Sequence, residues 1–170
     1  LWVTAVYLLT GLRWLVRRRF LREGENFDAH YWLRIAIQLT AASGILWGIT
    51  GVIFFSSNPL VLMTLSIFLA AMVAGAVSSH ACHTPAYIAF AVPAALPFIL
   101  RCFWEAETFY IVLGVIALVF VLINIHYGRN LQNMVIQSIR LRFQNAELVE
   151  ELTMQKRVAE QASIAKTRFL

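Results

Sequence analysis

Four side chains of metal-ligand type stand out in a chain with few others. His80, Cys82 and His83 fall within four residues, and His126 closes a later apolar stretch. Neutral imidazoles and a thiolate suit zinc, copper or haem iron. His80 and His83 are three apart, so a helix would carry both on one face. A ligating imidazole usually has its second nitrogen held by a carboxylate. No Asp or Glu lies near His80, His83 or His126 in sequence, so the plainer reading is polar residues at helix ends.

A second group sits inside apolar stretches. Gln38, Thr50 and Ser66, with Trp47 and the paired Pro93 and Pro97, are candidates for lining a ligand pocket. Prolines four apart remove two backbone donors from one face and should kink a helix. Isolated polar residues there otherwise hydrogen-bond between helices, a role open also to Thr40, Ser43, Thr64 and Asn124. No carboxylate pair, Ser/His/Asp set or Gly-rich phosphate loop is present. No Lys lies in an apolar stretch where a retinal Schiff base would need one. The catalytic set is therefore read as none.

The elements that position these residues follow from composition. The chain is 60% hydrophobic with a mean hydropathy of +0.71, too apolar for a soluble domain of 170 residues. No Asp, Glu, Lys or Arg occurs in 35–100 or in 108–128. A bilayer crossing takes about 20 apolar residues. The expected fold is all-α: a polytopic transmembrane helical bundle followed by a long cytoplasmic coiled-coil helix. Five spans are expected, at about 1–16, 35–55, 60–79, 86–103 and 108–127, with 128–170 as the tail. Gly44 and Gly48 form a GxxxG pattern with Gly51 one turn on, and Ala71 and Gly75 repeat the small-residue spacing. Such faces let helices approach closely, here within the bundle rather than between copies. Asp28 suits a helix N-cap and Pro85 a first turn. Cys82 and Cys102 bracket the fourth span, about 30 Å apart across a bilayer, which excludes a disulfide between them.

Charge sets the orientation. Arg17, Arg18, Arg19 and Arg22 follow the first span as a basic loop, and Arg13 can snorkel from its last turn. With that loop inside, Arg101 is the one outside residue among 14 Lys and Arg, and the tail is cytoplasmic. Tyr31, Trp32, Trp104 and Tyr110 fall where interfacial aromatic belts belong. The net charge of +5 then reads as topology and anionic headgroups, with no nucleic acid as partner. The opening Leu1-Trp-Val, with neither Met nor signal-peptide layout, reads as the start of a piece of a longer protein.

Beyond Gly128 the apolar spacing becomes three and four. Met134, Leu141, Asn145, Leu148 and Leu152 form the seam of an expected parallel homodimer, with Leu131, Ser138, Gln155, Ala159 and Ala162 on the same stripe. The tail ends on Gln161-Ala-Ser163, Ala165-Lys166 and Arg168-Phe-Leu170. This resembles the E-A-N-x-A-K-S-R-F-L run that leads into the phosphoacceptor His box of bacterial sensor histidine kinases, hybrid ones especially. The resemblance implies a membrane sensor and signal-transmitting segment. It implies that the phosphoacceptor His and an ATP-binding domain, with ATP and Mg, lie beyond residue 170, and that a response regulator or receiver domain is the downstream partner. No cofactor is expected in this segment, and no catalytic residue carries over onto it. The same sensor on a diguanylate cyclase, or a small-lipophile transporter, are the alternatives. The outer turns are too short to fold a sensor domain, so the stimulus would be read in the bilayer.

The topology is checked by impermeant thiol labelling in a Cys-free background. A Cys at Ser57 is expected to label from outside only and one at Glu25 from inside only. The reverse pattern at either position overturns the orientation.

Overall fold

The computed structural model describes residues 2–22, 28–80 and 82–168, with side chains as far as 157. Leu1, most of the connector at 23–29, Ala81, the kinase-like end at Phe169-Leu170 and the side chains of Ala159, Ala162 and Lys166 lie outside the described residues. Among the described residues the fold is all helical: α1 Trp2–Arg22, α2 Ala29–Ile53, α3 Pro59–Ser79, α4 Thr84–Glu105 and α5 Thr108–Arg168. The chain divides into two units, 1–132 and 133–170. Four helices, α2 to α5, are long and apolar enough to cross a membrane, which gives the chain the character of a multi-pass membrane protein.

Local chemistry sets the helix starts. Asp28 caps α2, its Oδ1 accepting from the N–H of His30 at 2.9 Å and of Tyr31 at 3.3 Å. Asn58 caps α3 by accepting from Leu60 N–H at 2.9 Å, with Pro59 in the first turn. Pro85 occupies the first turn of α4, where its missing N–H costs nothing. Ala106 ends α4 in the left-handed region at φ 57°, a conformation that costs a residue with a Cβ about 1–2 kcal/mol.

The helix α1 differs from the expected first span. The arginine run at Arg17–Arg22 is not a loop but the last turns of α1, since Arg is a good helix former and nothing there breaks the helix. With Arg13 and that run, α1 is not among the four helices of spanning character. It nonetheless lies antiparallel along α2. Trp2 Nε1–H donates to Leu46 O at 2.9 Å, Arg13 Nη2 donates to Thr40 Oγ1 at 3.1 Å, and Phe20 meets Trp32 ring to ring at 5.6 Å. Trp32 is thus buried against α1, while Tyr31 is left exposed.

The centre is α4. It buries Ala86, Tyr87, Phe90, Ala91, Ala94, Ala95, Phe98, Ile99 and Cys102, a set that covers more than one face and so meets helices on several sides. Its tightest contact is with α2. A Cβ added to Gly44 would stand 2.4 Å from Phe90 O, one on Gly48 would stand 2.1 Å from Pro93 O, and one on Gly51 would stand 2.8 Å from Phe98 Cβ. The GxxxG face therefore packs inside the bundle, backbone against backbone. Pro97 explains why the carbonyl of Pro93 is open to this. A proline at i removes the donor for the carbonyl at i−4, and α4 stays helical through both prolines. Toward the end of α4, Phe98 and Cys102 join Leu62, Leu69 and Tyr110 in a second cluster. Tyr110, expected at the interface, is core. Trp104, at 81% exposure, is the aromatic that faces outward. Cys82 and Cys102 are free thiols, exposed and buried respectively.

The second small-residue face behaves in the opposite way. A Cβ on Gly75 would meet nothing within 4 Å. Trp47 accounts for the space: its ring contacts Trp2 of α1 at 4.9 Å and Phe68 of α3 at 5.5 Å, and so fills the gap between helices at one level while leaving it open at the level of Gly75.

This contrast is directly measurable. Gly48→Ala must push α2 from α4, and overpacking of this kind costs about 1–3 kcal/mol or more, several degrees in unfolding midpoint. Gly75→Ala should leave the midpoint unchanged or raise it. Alkylation of buried Cys102 during thermal unfolding, in a Cys82→Ser background, reports both. Equal midpoints for the two variants would show that the Gly48 contact does not hold the bundle.

Candidate functional site

The space left at Gly75 is a cavity of about 380 Å³ among α1, α2, α3 and α4. Small-molecule sites begin at about 300 Å³. Its walls are Val6, Leu9 and Thr10 of α1, Leu46 and Trp47 of α2, Ala71, Met72 and Gly75 of α3, and Phe90 of α4. Arg13, Ser43, Ser79 and His80 supply the polar part. Arg13 is shared with a neighbouring cavity of about 490 Å³ between α1 and α2, which also includes Arg17, Trp32 and Thr40.

The placement of Arg13 is the unusual feature. Its partner Thr40 is six residues beyond Arg34, the last charge of α2, which is about 9 Å along the axis. Rather than snorkelling outward, the guanidinium reaches the Thr40 hydroxyl. That hydroxyl donates its own hydrogen to Ala36 O at 2.7 Å, so its lone pair is available to Arg13. Thr40 is buried and Arg13 half-buried. His80 closes the same cavity at the end of α3. Its ring lies parallel to Phe90 at 6.4 Å, and its Nδ1 is 2.8 Å from Ala76 O. A carbonyl only accepts, so Nδ1 carries the proton and Nε2 is the atom left for another partner.

One further tie joins this region to α5. His83 is the N-cap of α4 but gives it no side-chain hydrogen bond. The vacant role is filled from α5: Gln132 Oε1 accepts from Thr84 N–H at 2.8 Å and from the Thr84 hydroxyl. A Cβ added to Gly128 would stand 3.4 Å from the Tyr87 ring, and Leu131 packs on the cluster around Tyr87 and Phe90. From the cavity, His80 O accepts from His83 N–H at 2.9 Å, next to Thr84. Cavity wall, α3–α4 turn and the start of the polar part of α5 are thus linked by backbone and side-chain hydrogen bonds.

The residues singled out from sequence fall in several places. Trp47 lines the Arg13 cavity. Ser66 lines a smaller one of about 210 Å³ between α3, α4 and α5. Thr50 is buried, its hydroxyl donating to Trp47 O at 2.5 Å. Pro93 and Pro97 face Gly48, and Gln38 is exposed and lines none of these cavities. His80, His83 and His126 are not gathered: no group of three or more His, Cys, Asp or Glu able to hold a metal occurs among the described residues. His126 Nε2 instead accepts from Asn130 Nδ2 at 3.2 Å. The seam residues Met134, Leu141, Asn145, Leu148 and Leu152 are all exposed in the single chain.

Sequence reasoning missed Arg13 and Gln132. An arginine in an apolar helix is by default a functional candidate, a signal that was available for Arg13. Gln132 carried none, because its partner is 48 residues away. Compared with protein-family models, curated proteins and solved structures, the chain matches none.

Replacing Gln132 tests the α5 tie. Gln132→Leu leaves the first N–H of α4 without its acceptor, and loss of a cap costs about 1 kcal/mol. Hydrogen exchange across 84–87 should then quicken about fivefold, while Gln132→Glu, which keeps an acceptor, should not. Unchanged protection in Gln132→Leu would mean that the first turn is held by something else.

Proposed function

We propose that this chain is the membrane sensor and signal-transmitting segment of a two-component histidine kinase, placed in a bacterial inner membrane with its C-terminal part in the cytoplasm. The observation that supports the reading is the route out of the bundle. The helix α5 is continuous from Thr108 to Arg168, and Gln132, part way along it, holds the start of α4. A shift of the α3–α4 turn therefore reaches α5 without an intervening loop. In this reading a stimulus within the bilayer biases α5 between two positions, and the exposed apolar stripe through Met134, Leu141, Leu148 and Leu152 pairs two copies in parallel, Asn145 fixing the register. Movements of one helix by an ångström or two past another are a recurrent way of carrying such signals. The kinase-like residues at 161–170 favour phosphotransfer over cyclic-dinucleotide synthesis as the output, with ATP, Mg and a receiver domain belonging to the part beyond residue 170.

If α5 transmits by rotation or displacement, its phase must matter. Deleting Gln144–Glu147 turns everything downstream by about 40° and shortens the helix by about 6 Å, breaking the 3.5-residue seam. Deleting Gln144–Glu150 removes about 10 Å but keeps the phase. The first deletion should lock autophosphorylation of the intact protein in membranes on or off, and the second should keep its response to stimulus. Equal responsiveness would make α5 a passive tether.

A further inference from the structure

The cavity at Arg13 holds a cation that no acid among the described residues neutralises. The chain has nine Asp and Glu. None lies in α1, α2 or α3, and α4 carries only Glu105, which pairs with Arg101 at 2.6 Å in its last turn. In α5 no acid precedes Glu147. Asp28 is the N-cap of α2, about 18 Å along the axis from Thr40, Glu107 lies between α4 and α5, and Glu23 and Glu25 lie outside the described residues. Arginine does not shed its proton in proteins, and a charge at this depth in a bilayer is costly unless paired. Of its five N–H donors, the described residues engage one, through Thr40. Among the described residues no acid pairs with Arg13, so a counter-charge from outside the chain has a place to bind.

The rest of the cavity says what carries that charge. The charged and ionisable groups lie at one end, where Arg13 is near the foot of α1 and Ser79 and His80 near the foot of α3, with the hydroxyls of Thr10 and Ser43 further along. The other end is Val6, Leu46, Trp47 and Met72. From His80 to Met72 is eight residues, about 12 Å of helix. The α3 wall between them is made of Gly75 and Ala76, and a side chain at Gly75 would touch nothing. We propose that this cavity binds an amphipathic anion, its carboxylate or phosphate head on the Arg13 guanidinium beside His80 and its apolar tail running past Gly75 to Trp47. A cationic amphiphile would meet Arg13 with like charge. A neutral one would fit the volume and leave the guanidinium unmatched. As the stimulus of a sensor this ligand rests on the reading above, whereas as an occupant of the cavity it stands independently.

The test uses the chain in phosphatidylcholine nanodiscs, with radiolabelled decanoate as probe at alkaline pH and empty nanodiscs as the partition control. Decanoate should bind saturably, and decanol and decyltrimethylammonium should compete at least about tenfold less well, as expected for loss of a charge-assisted bond. Arg13→Gln should weaken decanoate by a similar factor, and Arg13→Lys should retain most of it. Gly75→Leu, which fills the cavity, should abolish binding while Cys102 stays as protected from alkylation as in the parent chain. A second arm adds phosphatidylglycerol. Retention of that lipid by the parent chain but not by Arg13→Gln, with decanoate displaced, would identify the head as that of a bilayer lipid, while decanoate binding undiminished by the lipid would identify a free amphiphile. Decanol equal to decanoate, Arg13→Gln equal to the parent chain, or no saturable binding of either anion would overturn the proposal. No output domain enters this measurement, so its failure leaves the transmission reading untouched, and equal responsiveness of the two α5 deletions leaves this one untouched.

Discussion

Gly48 lying against the carbonyl of Pro93 is the contact on which the bundle depends. Lipid offers helices no hydrophobic reason to associate, since the tails are as apolar as leucine. Close packing and satisfied polar groups must hold them instead. The Pro93 carbonyl has lost its helical donor to Pro97, and an unsatisfied carbonyl in hydrocarbon costs several kcal/mol. Only a residue without a side chain can come near enough to cover it, and Cα–H to O contacts of this kind contribute about 0.5–1 kcal/mol each. Gly44 and Gly51 extend the same approach one turn to either side. With its backbone locked to α2 on one side, α4 has its remaining faces for α3 and for the apolar part of α5, and the two core clusters form there. Since the contact is made largely of backbone, it has few rotamers through which to yield, and α2 and α4 should behave as one body against which the other helices move.

The cavity is the complement of that contact. The face at Ala71 and Gly75 has the same spacing as the one on α2 but meets no backbone, because Trp47 stands between α1 and α3 at its upper end. Into this space the chain sends the Arg13 side chain. The arrangement is electrostatically incomplete where the α2–α4 contact is sterically complete, and a binding site is a place where the protein leaves a requirement for something else to meet.

The elements were legible in the sequence because bilayer physics leaves little choice. Uncharged stretches of about 20 residues became helices, and Asp28 and Pro85 marked starts that the structure keeps. The GxxxG face was legible as an internal one. What sequence did not show was which faces meet. Identical small-residue spacing in α2 and α3 leads to contact in one case and space in the other, and the difference goes with where Trp47 of α2 stands against α1 and α3. Tyr110 looked interfacial by its neighbours and is core, since the helix carrying it turns that face to Phe55 and Phe98. The histidines were the most visible residues chemically, yet helix ends scatter them. Arg13 was read by its nearness to the basic run and not by the uncharged helix it faces.

A cavity wall with a glycine at which an added side chain would touch nothing has an evolutionary consequence. Substitutions on the α2 glycine face are paid in stability, so drift there is closed. Those at Gly75 change the room inside, since a Cβ there meets nothing. A lineage could pass from Gly to Ala, Ser or Val at this position and retune which chain length fits, without crossing a folding threshold. Diversity among related chains would then collect on one face of α3, leaving the α2–α4 pair constant beneath it.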